Sequence, residues 1–229
     1  LPLAVDACAR HDIPLTMRGA GTSLAGQAVG RGLVVDCSRL RDIEVDAGSM
    51  TARVGPGVVL DDLNRAAAPH GLMFGPDVAT GSRATLGGMI GNNSCGTRSI
   101  WYGRTSDAIE SLAALLIDGT RFTARWRSAG DWTAESNGSG RIASIYREVT
   151  RIVETNRELI ASRVPKLPRI VAGYSLQSFL DTARPRSLSD LLCGSEGTLA
   201  LVNEATVRLQ PTPAATCLVV SAFRSVDDA

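Results

Sequence analysis

Apolar residues along this chain fall into short runs with two spacings, and the switching between them outlines mixed helix and strand. Leu3 to Arg10 reads as a short helix and Ile13 to Met17 as a strand. Leu33 to Asp36 is a compact apolar strand, and Ile43 to Asp46 and Thr51 to Val54 are two strands joined by a turn at Ala47-Gly48. Gly55-Pro56-Gly57 breaks the chain. Leu60 to Pro69 then gives a helix with Leu60, Leu63, Ala66 and Ala67 on one side and Gly71 just past its end. Thr85 to Met89 predicts one helical turn. Ala113 to Ile117 and Arg121 to Trp126 are strands around Asp118-Gly119, a strong hairpin signal. Ser128 to Arg141 is polar and rich in Gly and Ser, and reads as a loop. Ile142 to Ser162 is the longest helix, apolar at Ile142, Ile145, Val149, Ile152, Val153, Leu159 and Ile160, and closed by Pro165 and Pro168. Leu199 to Leu209 alternates as a strand and Leu218 to Phe223 begins another.

The expected fold class is therefore α+β with two lobes, residues 1–74 and 75–212, followed by residues 213–229 as the start of a further domain. Hydrophobic content of 44% and charged content of 21% are those of a globular protein. The net charge of +1 gives no pointer to nucleic acid or an anionic membrane. No apolar run approaches the roughly 18 residues of a membrane helix. The five cysteines, Cys8, Cys37, Cys95, Cys193 and Cys217, are widely spaced with no CxxC pair. Zinc or iron–sulfur ligation within the chain is not expected, no metal site is assigned, and reduced thiols in the cytoplasm are the default.

Three glycine clusters carry the candidate chemistry. Arg18-Gly19-Ala20-Gly21-Thr22-Ser23-Leu24-Ala25-Gly26 follows a strand. Its bare backbone allows tight folding and close approach, and successive N–H groups in such a turn converge on an anion. Thr22 and Ser23 add hydroxyls and Arg18 adds charge, which suits a phosphate or pyrophosphate. The alternative is a simple turn. The usual dinucleotide fingerprint wants a third Gly at position 24, where Leu stands, and a helix that does not follow. The second cluster, Thr85 to Gly96, spends much chain entropy on glycine and adds the polar side chains of Asn92, Asn93 and Ser94; a loop with left-handed Asn is the alternative. The third, Cys193-Gly194-Ser195-Glu196-Gly197-Thr198-Leu199, runs from a Gly turn into a strand, and Glu196 is either an acceptor for a ribose hydroxyl or a solvent-facing turn carboxylate.

These clusters in this order, with Gly75-Pro76-Asp77, Tyr102-Gly103-Arg104-Thr105-Ser106-Asp107 and Gly173-Tyr174-Ser175-Leu176 between them, resemble the FAD-binding domain of the vanillyl-alcohol oxidase/p-cresol methylhydroxylase superfamily. Within it the likeness is to the D-lactate, glycolate and D-2-hydroxyglutarate dehydrogenase group. The resemblance implies a two-lobed fold with FAD between the lobes, and a flavin-dependent oxidation of a 2-hydroxy acid by hydride transfer. It places the pyrophosphate on Gly19, Ala20, Gly21, Thr22, Ser23 and Leu24. The flavin and ribityl region falls on Pro76, Thr80, Thr85 and Gly88, and the pyrophosphate or flavin edge on Asn92, Asn93, Ser94 and Cys95. Leu201 takes the adenine end. No His stands in Gly21-Thr22-Ser23, so the resemblance implies non-covalent FAD. Ser175 stands where the group has Asn, and Ala200 where it has Gly.

His11 and His70, near predicted helix C-termini, are read as structural, and Trp101 and Tyr102 as interface core. Cys95 and Cys193 are read as packing thiols. By the resemblance, the catalytic base belongs to a substrate domain after residue 213, the first strands of the usual domain precede Leu1, and a C-terminal module carries an iron–sulfur cluster. Quinone, cytochrome or an electron-transfer flavoprotein would accept the electrons, in the cytoplasm or peripherally at the inner membrane. A chain ending at Ala229 is expected to bind FAD weakly or not at all and to turn over no substrate. Three alternatives stay open: a flavin-dependent UDP-sugar reductase, a non-catalytic FAD module, and a nicotinamide-dependent Rossmann dehydrogenase. The last would need a helix within residues 21–30 and an acid such as Asp36.

Overall fold

The computed structural model describes residues 1–167, 169–171 and 173–228; Pro168 and Ala229 of the sequence reading lie outside them. Helix α1, Pro2–His11, leads into β1, Leu15–Arg18, which pairs in parallel with β2, Leu33–Asp36, from Leu15 opposite Leu33 to Arg18 opposite Asp36. Strand β3, Ile43–Asp46, and β4, Thr51–Val54, form the expected hairpin. Helix α2, Leu60–Ala67, buries Leu60, Leu63 and Ala67 on one face, and a short 3-10 turn, Ala68–His70, ends at left-handed Gly71. Then come β5, Leu72–Met73, and α3, Leu86–Asn92, followed by α4, Ser99–Tyr102. Strands β6, Ile109–Leu115, and β7, Arg121–Arg125, precede three helices: α5, Ala129–Asn137, α6, Gly140–Thr155, and α7, Arg157–Arg163. Helix α8, Ser189–Leu192, and strands β8, Leu201–Arg208, and β9, Gln210–Pro211, complete the order.

A five-stranded antiparallel sheet, ordered β3-β4-β8-β6-β7, organises the chain. It takes two strands from before residue 74 and three from after it. Central β6 and β8 turn Ile109, Leu112, Ala205 and Val207 into a core shared with Ala52 and Val54 of β4, Leu63 of α2, and Leu86, Met89 and Ile90 of α3. Helices α5 and α6 extend that core through Trp132, Tyr146, Val149 and Val153. The Trp132 and Tyr146 rings meet edge-on at 4.6 Å and the Arg186 guanidinium caps Trp132 at 4.6 Å.

Several expectations are corrected. Strand β1 starts at Leu15, not Ile13. Strand β6 starts at Ile109 rather than Ala113, because register shifts at Ile109/Ser111 and Ala113/Ala114 break the alternation that marks a strand. Residues 129–137 are helix, not loop: Ser128 and Asp131 form a reciprocal capping box and Trp132 is buried. The long helix divides at Asn156, whose side-chain amide donates to the Ile152 carbonyl at 2.8 Å and competes with the helix ladder. Trp101 is no interface core, being 86% exposed. Leu218 to Phe223 forms no strand among the described residues; the segment is exposed and makes no ladder bonds. No helix among the described residues is long and apolar enough to cross a membrane.

Candidate cofactor cleft

The cleft is built around α3. Thr85 caps its start, accepting from the Gly88 N–H at 3.3 Å, and left-handed Asn93 closes its end. Gly87 lets the helix lie against the Pro56 turn, where a Cβ would stand 2.6 Å from the proline ring. The third glycine cluster hangs on the other end: Gly194 donates to the Ile90 carbonyl at 3.0 Å and Glu196 to that of Gly91 at 2.9 Å. The first cluster leaves β1 and settles against the helix start, where a Cβ on Gly19 would meet the Thr85 hydroxyl. One short helix thus gathers segments far apart in sequence.

Between them opens a cleft of about 380 Å³. Of the residues assigned from sequence, Gly19, Ala20, Gly21, Thr22, Ser23, Thr80, Thr85, Gly88, Asn92, Ser94, Cys95, Glu196 and Leu201 line it. Four do not. Arg18 is exposed, with its guanidinium beside Gly21; Leu24 is fully exposed; and Pro76 is buried outside the wall. Asn93 is wholly buried, and its Oδ1 accepts from the Ser106 N–H at 3.0 Å. The sequence reading missed Gln27, Pro56, Gly87, Gly91, Val171 and Ser195, which also form the wall. Gln27 had only a local cue, its place between Gly26 and Gly30.

The first loop offers the cleft its main chain and the hydroxyls of Thr22 and Ser23. Among the described residues, no backbone N–H of residues 19–25 donates to another backbone carbonyl. Such unpaired main-chain donors can serve an anion. A side-chain chain then joins all three clusters: Ser23 donates to Gln27, Gln27 Nε2 and Asn92 Nδ2 reach Glu196 Oε1 at 3.4 and 3.5 Å, and Ser94 donates to Asn92 at 2.7 Å. Glu196 is exposed, and partial desolvation raises its carboxyl from the ordinary glutamate value against the pull of the Asn92 and Gln27 donors. Burial likewise raises the Cys37 thiol.

Behind the third cluster, Arg104 grips Asp107 through Nε and Nη2 at 3.0 and 2.9 Å and donates to the Ile170 carbonyl at 2.8 Å. Asp190, two residues before Leu192 of the wall, lies beside this pair. Burial pushes its carboxyl up to about 6, with Arg104 opposing and Asp107 reinforcing. The folded state therefore holds a proton that the unfolded chain has released. Stability contributed by Asp190 is full below the usual aspartate range and lost as pH rises to about 6. Asp190→Asn is expected to remove a loss on the order of 2 kcal/mol between about pH 4 and pH 7, seen as a flatter profile of thermal midpoint against pH. Cys193, fully buried beside this group, has its thiol raised by burial and packs as expected.

Comparison with known proteins agrees with this geometry. Residues 1–125 match the family described as FAD binding domain. The chain is 37% identical over 221 residues to a D-2-hydroxyglutarate dehydrogenase of Pseudomonas putida, covering 96% of this chain and 22% of that protein. It is 32% identical over 219 residues to a D-lactate dehydrogenase of Archaeoglobus fulgidus, covering 95% and 38%. The chain thus spans only about a fifth to two fifths of these relatives' lengths. A solved alkyldihydroxyacetonephosphate synthase shares the fold, with a TM-score of 0.60 at 20% identity over 94% of this chain and 33% of that one. The cleft, the order of its glycine clusters and the match over its first 125 residues together establish that this chain belongs to the FAD binding domain family.

Proposed function

We propose that this chain holds the FAD of a flavin-dependent oxidoreductase that oxidises a 2-hydroxy acid of the D-2-hydroxyglutarate, D-lactate or glycolate type. One observation carries the cofactor reading: three glycine clusters line a single cleft, and the first presents a run of N–H groups with no backbone acceptor. Those residues fit a dinucleotide. Gly19 to Ser23 would take the pyrophosphate on main-chain N–H groups and hydroxyls. Thr80, Thr85 and Gly88 would line the flavin and ribityl portion, Asn92, Ser94 and Cys95 its polar edge, and Leu201 the adenine end. The substrate class rests on the relatives, which are D-2-hydroxyglutarate and D-lactate dehydrogenases and a glycolate oxidase subunit.

FAD, when bound, supplies the acceptor for a hydride from the substrate C–H. The residues of this chain bind and orient it, and the buried wall of Met89, Leu192 and Ala200 keeps water from one side. No base is assigned. By the resemblance, a following domain supplies the base, an iron–sulfur module lies beyond it, and a quinone, cytochrome or electron-transfer flavoprotein takes the electrons. The division at residues 74/75 and 212/213, and a cytoplasmic or peripheral membrane location, belong to the same reading.

The test is the visible spectrum and turnover of the full-length protein. Flavin bands as purified, and dye reduction with one of the three acids, are the expected result, while the 229-residue chain alone should give no turnover. Absence of flavin from the full-length protein, or flavin bleaching by NADPH with no response to the acids, would overturn the reading.

A further inference from the structure

Glu196 is the single side chain with a formal charge among the described residues that line the cleft, and no Lys, Arg or His joins it there. A pyrophosphate would bring two further negative charges into the same space. No cationic side chain in the wall offsets them, which leaves only the main-chain N–H groups and hydroxyls of the first loop. The Gln27 and Asn92 amides that reach Glu196 are neutral, and Arg18 of the first loop packs beside Gly21 outside the lining. Thr198 is tied to the Tyr174 hydroxyl at 2.8 Å, and the thiols of Cys37 and Cys95 are the other ionisable groups in view. Glu196 is also held in place: it sits in the left-handed region at φ 53°, with its N–H fixed on Gly91. Its backbone is thereby tied to α3; the residue is exposed, and its carboxyl is kept at the wall by the Gln27 and Asn92 amides.

Resting on the cofactor reading above, we propose that Glu196 is a proton-coupled positioning residue. The flavin dinucleotide enters the cleft together with a proton from solvent. That proton forms an O–H bond on the Glu196 carboxyl, which then donates a hydrogen bond to the ligand instead of facing it as a second anion. The acid is prepared for this, since partial burial already favours its neutral form. Like-charge repulsion from the bound ligand shifts it further the same way.

Glu196 binds a proton more tightly with the ligand present than without it. Affinity is therefore highest at pH values where the carboxyl is protonated in both states. It falls through the window between the free and bound carboxyl midpoints, by up to about tenfold per pH unit, and levels off above it.

The experiment is isothermal titration of the full-length apoprotein with FAD, in pairs of buffers of low and high ionisation enthalpy, across the carboxylate range and above. Wild type is expected to take up a fraction of a proton per FAD, approaching one, with affinity falling as pH rises. Glu196→Gln keeps the shape and supplies a permanent donor. It should abolish the buffer dependence and flatten the affinity profile while leaving the thermal midpoint unchanged. Gln27→Ala removes a donor that favours the carboxylate in the free protein, and should move the window to higher pH. FAD binding with no proton uptake, or with uptake unchanged in Glu196→Gln, overturns the proposal and leaves the cofactor reading standing. No FAD binding to any of these proteins removes both.

Discussion

Replacing Gly21 by valine is expected to weaken FAD binding at least about 100-fold, about 2.7 kcal/mol, while barely moving the melting temperature. Gly21 sits at φ 67°, where a β-branched residue is strained, and it lines the cleft at the centre of the loop with free N–H groups. A valine must either leave the left-handed region, which turns a neighbouring N–H away from the anion, or stay there at a cost. Its side chain also meets the Arg18 guanidinium, which a Cβ would approach to 3.2 Å. The loop is exposed and contributes little core, so stability is largely spared. Quenching of flavin fluorescence on the full-length protein measures the loss. Affinity within a few fold of wild type would remove the first loop from the pyrophosphate site.

Gly57→Ala is expected to act in the opposite way, on the scaffold rather than the ligand. A Cβ at this buried position would lie 1.9 Å from the Cys37 carbonyl oxygen and 3.0 Å from that of Leu40. Both neighbours are backbone and cannot rotate aside, so the turn must shift. Overpacking of this kind costs about 3 kcal/mol, a fall of about 6–12 °C in melting temperature for a domain of this size. The same turn carries Pro56 against Gly87 of α3, and Cys37 faces the cleft, so the strain passes into the cofactor wall. A thermal melt checks it. An unchanged midpoint would show that residues 55–57 and 37–40 are free to separate.

Strands β2, β3 and β4 begin and end where the sequence pattern puts them, and each borders a turn-forming glycine on at least one side: Gly32, Gly48 or Gly55. The glycine clusters stood out for a similarly local reason: a chain gives up side chains only where the backbone needs left-handed angles or close contact. Legibility failed where a distant partner decides. Strand β6 extends back to Ile109 because β8 pairs with it there, and its shifted register erases the alternation. Helix α5 was hidden by Gly and Ser content, although Ser128 and Asp131 already spelled its capping box. Asn93 looked like a ligand group, yet the fold turns it inward to hold the Ser106 N–H.

By itself the sequence determined much of the local conformation: where Gly and Pro turn the chain, where main chain is left bare, and which face of α2 is apolar. Those depend on side chains within a few residues of one another. Only the tertiary structure decided that the three clusters share one space, and that Gln27 touches Glu196 across 169 residues of chain. It also decided that, among the described residues, the one charged side chain lining the cleft is an acid. Such contacts form when the sheet pairs β4 with β8 and packs α3 beneath them, and that long-range burial leaves no periodic trace in the residues it brings together.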